Sequence, residues 1–159
     1  MLSSLFAAHY RDLVRLAALI VDDRDLAEDV VQEAFTTAAR RWLGIRDPDR
    51  ALYYLRAAVA NGGRDQLRHR RVVRSHEGDL IAQVQPAAEV AAVDRATHDA
   101  VYDELSRLST RQRQVLVLRY YLDYSEAQIA DCLGISRGAV KAHASRGIAA
   151  LSSAMEVWR

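Results

Sequence analysis

Apolar residues recur at intervals of three and four along most of the chain, the spacing of one face of an α-helix. Leu5, Ala8, Leu13, Leu16 and Ile20 predict a first amphipathic helix, and Leu26, Val30, Ala34 and Ala38 a second. Leu52, Leu55, Val59 and Leu67 predict a third, which turns strongly basic toward its end. Asp22-Asp23 supply turn and N-cap chemistry between the first two, and Pro48 and Pro86 each mark a break between helices. No segment alternates as a half-buried strand would, so the fold class is all-α. From about Val72 to Ala96 the periodicity weakens into Gly, Gln, Ser, Ala and acidic residues around Pro86. The expected organisation is therefore two small helical domains, residues 1–73 and 96–159, joined by a flexible linker over 74–95.

In the second domain Val101, Leu105 and Leu108 lead into Ser109-Thr110, where either hydroxyl can cap a helix running through Val115, Leu116 and Leu118. Next, Ile129-Ala130 puts a small residue where two helices approach, Gly134 stands where a left-handed turn is needed, and Val140 packs back six residues later. Leu133 and Ile135 complete the inner face. This spacing is a helix-turn-helix signature within a four-helix domain; the plainer alternative is a helical hairpin with a glycine turn. Ser125 is expected to cap the supporting helix and Ser136 the recognition helix, whose N-terminus, Arg137-Gly138, would point at a major groove. Val140, Ala144 and Ile148 are expected inside, with Lys141, His143, Ser145 and Arg146 on the polar side. Lys141 and Arg146 suit guanine edges or phosphates. For His143 a solvated face is an equal alternative.

The net charge of +1 hides a segregation of signs. Acids gather at Asp22, Asp23, Asp25, Glu28, Asp29 and Glu33, and arginines at Arg64, Arg68, Arg70, Arg71 and Arg74. One chain can thus serve two partners of opposite sign. Asp29, Gln32 and Glu33 beside apolar Leu26 and Phe35 suit a basic protein surface around an apolar contact, with Phe35 itself better placed in the core. The lone Cys132 and scattered histidines offer neither a disulfide nor zinc spacing, and no glycine-rich phosphate loop or catalytic constellation is present. The expectation is a non-enzymatic protein without metal or cofactor. No apolar run approaches the roughly 18 residues of a membrane span, and the first residues lack a secretory leader, so a cytoplasmic location is expected.

Two separate stretches carry a family resemblance. Residues 25–35, Asp-Leu-Ala-Glu-Asp-Val-Val-Gln-Glu-Ala-Phe, resemble the polymerase-docking helix of extracytoplasmic-function sigma factors. Residues 54–61, Tyr-Leu-Arg-Ala-Ala-Val-Ala-Asn, with the arginine-rich extension, are similar to that family's promoter-melting helix. The resemblance resumes at residues 108–121 and runs through the helix-turn-helix to Arg146, most like a sigma-E-like subgroup common in actinobacteria. It implies a sigma factor that binds core RNA polymerase, directs it to specific promoters and promotes strand opening. By the same resemblance, Leu26, Asp29, Gln32 and Glu33 would meet the polymerase. Asn61, Arg64, Arg68 and Arg71 would act at the downstream element, with the loop from Gly44 to Arg50 as the other wall of the base pocket. Arg119 and Ala142 would join Ser136, Arg137, Lys141, Ser145 and Arg146 at the upstream (−35) element. The chain departs from the pattern at Tyr54, where many members carry tryptophan, and at Gly62-Gly63, which should weaken the helix by about 1 kcal/mol per glycine.

The implied partners are core RNA polymerase and promoter DNA, with an anti-sigma protein admitted as a third, and the free chain is expected to be a monomer. A free-standing helix-turn-helix regulator would instead dimerise through its N-terminal helices and bind a palindrome without polymerase. An adaptor that only docks on polymerase would be indifferent to the loss of Lys141 and Arg146. Trp158 is compatible with either an exposed position or a cap on the last helix's core.

Overall fold

In the computed structural model of the chain, residues 1–41, 44–77 and 92–157 are described. Seven helices account for nearly all of them: α1 (Leu2–Val21), α2 (Arg24–Arg41), α3 (Pro48–Glu77), α4 (Ala92–Ser106), α5 (Thr110–Tyr120), α6 (Glu126–Leu133) and α7 (Arg137–Val157). No strand occurs among the described residues, so the architecture is all-α. Most of the segment read as a linker, residues 78–91 with Pro86, lies outside the described residues, as does Trp158. The helices reach into both ends of that segment, α3 to Glu77 and α4 from Ala92.

The local chemistry explains the helix boundaries. α1 stops at Asp22, which adopts φ 55°, and the adjacent Asp23 Oδ1 accepts the Leu26 N–H at 3.1 Å as α2 begins. Asp47 Oδ1 accepts from the Asp49 N–H at 3.0 Å. Pro48 follows as the first helical residue of α3, where its missing N–H costs nothing. Ser109, not Thr110, caps α5, its Oγ accepting from Gln112 N while Gln112 Oε1 accepts from Ser109 N.

α1, α2 and α3 pack against one another around Leu13, Leu16, Ile20, Val31, Leu55 and Val59, all fully or almost fully buried. Each such side chain contributes about 1.5–3 kcal/mol relative to exposure. Gly62 and Gly63 do not interrupt α3. A Cβ on Gly63 would sit 3.0 Å from Ile20 Cγ2 and 3.2 Å from Val21 Cγ1. The glycine therefore lets α3 cross closely over the end of α1, and that packing offsets the helix propensity it sacrifices. Ala8, expected inside, is exposed, and so is Val101.

α5, α6 and α7 form the second group, around Val115, Leu118, Ile129 and Val140. The two groups do not stand apart: α5 lies against α1, α6 against α3, and the buried apolar residues form one continuous cluster.

Candidate nucleic-acid interface

The helix-turn-helix is built from three local devices. Ser125 opens α6 with a capping box, its Oγ accepting from Gln128 N at 3.2 Å and its N–H donating to Gln128 Oε1 at 2.9 Å. Gly134 closes α6 at φ 64°, ψ 38°, and the Ile135 N–H returns to Ala130 O at 3.1 Å. Ser136 Oγ then accepts the Ala139 N–H at 3.1 Å and caps α7, with Val140 N bonded to Ser136 O. Ile129, Cys132 and Leu133 of α6 and Val140 and Ala144 of α7 are buried. Burial, with Asp131 alongside, pushes the Cys132 thiol up to about 11, so it behaves as a small core side chain.

Ile148 departs from expectation: it is 42% exposed. The inward seam of α7 runs instead through Val140, Ala144 and Gly147. A Cβ at Gly147 would lie 2.8 Å from Leu116 Cδ1. With the helix that close to α5, the seam passes through the glycine and turns the neighbouring isoleucine outward.

On the opposite side of α7, Ser136, Arg137, Lys141, Ser145 and Arg146 are exposed and Ala142 is half-buried. Arg119 reaches the same neighbourhood from the last turn of α5. A single carboxylate, Glu126, ties two of these residues: its oxygens lie 3.9 Å from Arg119 Nη1 and 3.8 Å from Lys141 Nζ. Sequence reasoning missed this role of Glu126. Its only signal was an acid in the first turn of the supporting helix, which the helix dipole alone would explain.

The basic part of α3 faces a different way. Arg64, Arg68, Arg71 and Val72 line a cavity of about 500 Å³ with Ser109, Thr110, Arg111 and His143. Burial holds the Arg111 pKa below its ordinary value, with Arg64 adding to the effect. His143 is lowered by burial and then by Arg146 and Arg111, so the ring favours the neutral form. Arg70 points elsewhere, donating to Asp23 Oδ2 at 2.8 Å.

Asn61 Nδ2 donates to Ala57 O at 2.9 Å and to Cys132 O at 2.8 Å. Nearby, Tyr53 Oη lies 3.0 Å from Asp131 Oδ2 and 3.1 Å from Gln128 O, and its ring stacks on Tyr124. Gln114, fully buried, donates to Ala60 O at 2.8 Å, and Arg113 Nη1 donates to Ile20 O at 2.6 Å. The sequence reading did not single out Arg113, Gln114 or Tyr53. The one trace was a pair of polar residues directly before the Val115–Leu118 run.

Along α2, Asp29, Gln32 and Glu33 are exposed and Leu26 is half-buried. Phe35 is buried, edge-on to Phe6 with ring centroids 5.0 Å apart. Residues 44–47 form an exposed loop, Ile45 excepted, whereas Pro48, Asp49 and Arg50, expected to belong to it, are the exposed first turn of α3, because Asp47 and Pro48 start the helix there. Among the described residues no group of three metal-ligating side chains assembles. No helix among them is long and apolar enough to cross a membrane.

An acidic helical face, a basic helix and a capped helix-turn-helix together define a protein that reads nucleic acid while docking on another protein. Comparison with known proteins makes this specific. Residues 5–72 match the model for sigma-70 region 2, and residues 98–151 the model for sigma-70 region 4. The RNA polymerase sigma-E factor of Streptomyces avermitilis is 34% identical over 91% of this chain and 79% of its own length. The ECF RNA polymerase sigma factor SigL of Mycobacterium tuberculosis is 34% identical over 95% of this chain and 86% of its own. Among solved structures, CnrH in complex with the cytosolic domain of CnrY superimposes with a TM-score of 0.70 at 25% identity, covering 98% of this chain and 88% of that one. The chain belongs to the sigma-70 family, in its extracytoplasmic-function branch, whose members direct RNA polymerase to promoters.

Proposed function

We propose a division of labour along the chain in which residues 1–73 bind core polymerase and open the downstream element, residues 96–159 read the upstream element, and 74–95 join them. The observation that carries this reading is the separation of surfaces. Asp29, Gln32 and Glu33 stand exposed on α2, while Arg137, Lys141, Ser145 and Arg146 stand exposed on α7 beyond a capped turn. In this reading the α7 N-terminus enters the major groove. Ser136, Arg137 and Arg119 hold phosphates, and Lys141, Ala142, Ser145 and Arg146 face base edges. Asn61 takes a base of the opened strand while Arg64, Arg68 and Arg71 follow its phosphates. The α2 face, with Leu26 as its apolar contact, meets a basic surface of the polymerase.

The mechanism is reversible binding, with no chemical step assigned to any side chain. The chain works where the polymerase works, in the cytoplasm. CnrH was solved with a domain of a second protein, which supports an anti-sigma partner for this chain as well.

The test is a pair of double variants. Lys141→Ala with Arg146→Ala should weaken promoter binding by about 1–3 kcal/mol for each bidentate pairing to a base that the substitutions remove, and leave polymerase binding intact. Gln32→Ala with Glu33→Ala should do the reverse. Identical behaviour of the two in both assays would contradict the division.

A further inference from the structure

We propose that the cavity between the basic part of α3 and the first turn of α5 is a binding site for an oligophosphate, a small ligand with two or more linked phosphoryl groups.

The lining is cationic and uncompensated. Arg64, Arg68 and Arg71 line the cavity from α3 and Arg111 from α5, and no carboxylate joins them. Among the described residues none of these four forms an ion pair, whereas Arg70 of the same helix holds Asp23. Arg64 adds to burial in lowering the Arg111 pKa, and Asp65 does not make up the difference. Like charges gathered in a partly enclosed space repel, and an anion between them relieves the repulsion.

The α5 wall supplies further donors. Its capping box occupies the N–H groups of Ser109 and Gln112. Those of Thr110 and Arg111, the first two residues of the helix, have no partner within it. The hydroxyls of Ser109 and Thr110 line the same cavity, so hydroxyls, the positive end of a helix dipole and four guanidiniums converge on one space of about 500 Å³. His143 closes the cavity from α7; its neutral ring adds a donor without adding charge.

Size and charge select the ligand. From Arg64 to Arg71 the helix advances about 10 Å, more than one phosphate spans, and guanidiniums spaced a turn apart can each fork onto a successive phosphoryl group. One terminal phosphoryl group carries about −1.5 to −2, so four cations call for two or more linked groups. Thr110, Arg111 and His143 have no part in the DNA contacts proposed above. The α3 arginines do, so a bound oligophosphate should compete with an opened strand. That consequence rests on the role given to Arg64, Arg68 and Arg71; the site stands without it.

The experiment is isothermal titration calorimetry of the full chain, without magnesium, against inorganic triphosphate, a nucleoside triphosphate and orthophosphate. Triphosphate should fill one saturable site, with orthophosphate weaker by roughly tenfold or more, since it forgoes at least one charge-assisted pair. Arg111→Ala and Arg68→Ala should each weaken triphosphate roughly tenfold for the same reason. Arg68 is exposed, so its variant keeps the test readable if Arg111→Ala unsettles α5. Arg11→Ala, an exposed arginine of α1 that does not line the cavity, removes the same charge and should leave the affinity unchanged. Either triphosphate bound with this dependence supports the site, and the tighter one names its source, an inorganic chain or a nucleotide. No saturable binding at millimolar triphosphate, or an equal loss in Arg11→Ala, would overturn it. Triphosphate should also displace a labelled single strand from the chain. Saturable binding without displacement would leave the site standing and overturn the role of the α3 arginines on the strand.

Discussion

Glu126 sits where an acid is least expected on the surface proposed to meet DNA. Its carboxylate holds Arg119 and Lys141 at 3.9 and 3.8 Å, with the two cations 40% and 66% exposed. Pairs this open are each worth about 0.2–1 kcal/mol, and in the proposed reading the carboxylate competes with a phosphate for Arg119 and with a base edge for Lys141. Glu126→Gln removes that competition and a negative charge near the phosphates. The gain on duplex binding should be roughly 1 kcal/mol, about fivefold. Where the carboxylate keeps Arg119 from its phosphate in the wild-type complex, freeing that cation should steepen the dependence of log K on log salt by about 0.9. The helix loses the favourable acid in its first turn, at a cost of about 0.3–1 kcal/mol of stability. The assay is fluorescence anisotropy of the full chain with a labelled duplex across a salt series. An unchanged slope and affinity would show that Glu126 does not restrain the cations. Weaker binding with lost preference at one cytosine would show that the carboxylate itself reads a base.

Two further predictions concern the scaffold. Asp23 is driven upward by its burial, but the Leu26 N–H, the Arg70 guanidinium and the Asp25 N–H together outweigh this and hold its pKa below 3.8. A carboxyl depressed on folding contributes stability that is present above its unfolded value and disappears as pH falls through the folded one. The melting temperature of wild type minus Asp23→Asn should therefore shrink as pH drops from 5 through the region below 3.8, and parallel profiles would refute the pairing with Arg70. Gly147→Val should cost about 1–3 kcal/mol in urea unfolding, because its Cβ meets Leu116 at 2.8 Å; no loss would mean that α5 and α7 cross further apart.

Much of this molecule is legible from local chemistry, because helix caps are written within four residues. Ser125, Gly134 and Ser136 act where their types and spacing place them, and the acid-rich face of α2 follows from a periodicity of 3.6. The errors arise where packing distance decides. Ile148 looked internal by its hydrophobicity, yet the close α5–α7 crossing draws the seam through Gly147. Gly62-Gly63 looked like a weakness in a helix, and Gly63 proves to stand where α3 crosses too close to Ile20 and Val21 of α1 for a side chain. The least legible part is the junction of α1 and α3 with α5 and α6. Asn61, Arg113 and Gln114 bond carbonyls 71, 93 and 54 residues away, and no pattern within one helix announces a partner at that distance.

The central claim is that this chain delivers polymerase to promoters, and the most direct measurement is run-off transcription on a genomic fragment library with purified core RNA polymerase, with and without the protein, alongside a pull-down of the core enzyme. Stable capture of the core, and new, sequence-specific start sites only when the chain is present, are the expected result. A chain that ignores the core, forms a dimer by light scattering and footprints a palindrome by itself would contradict it.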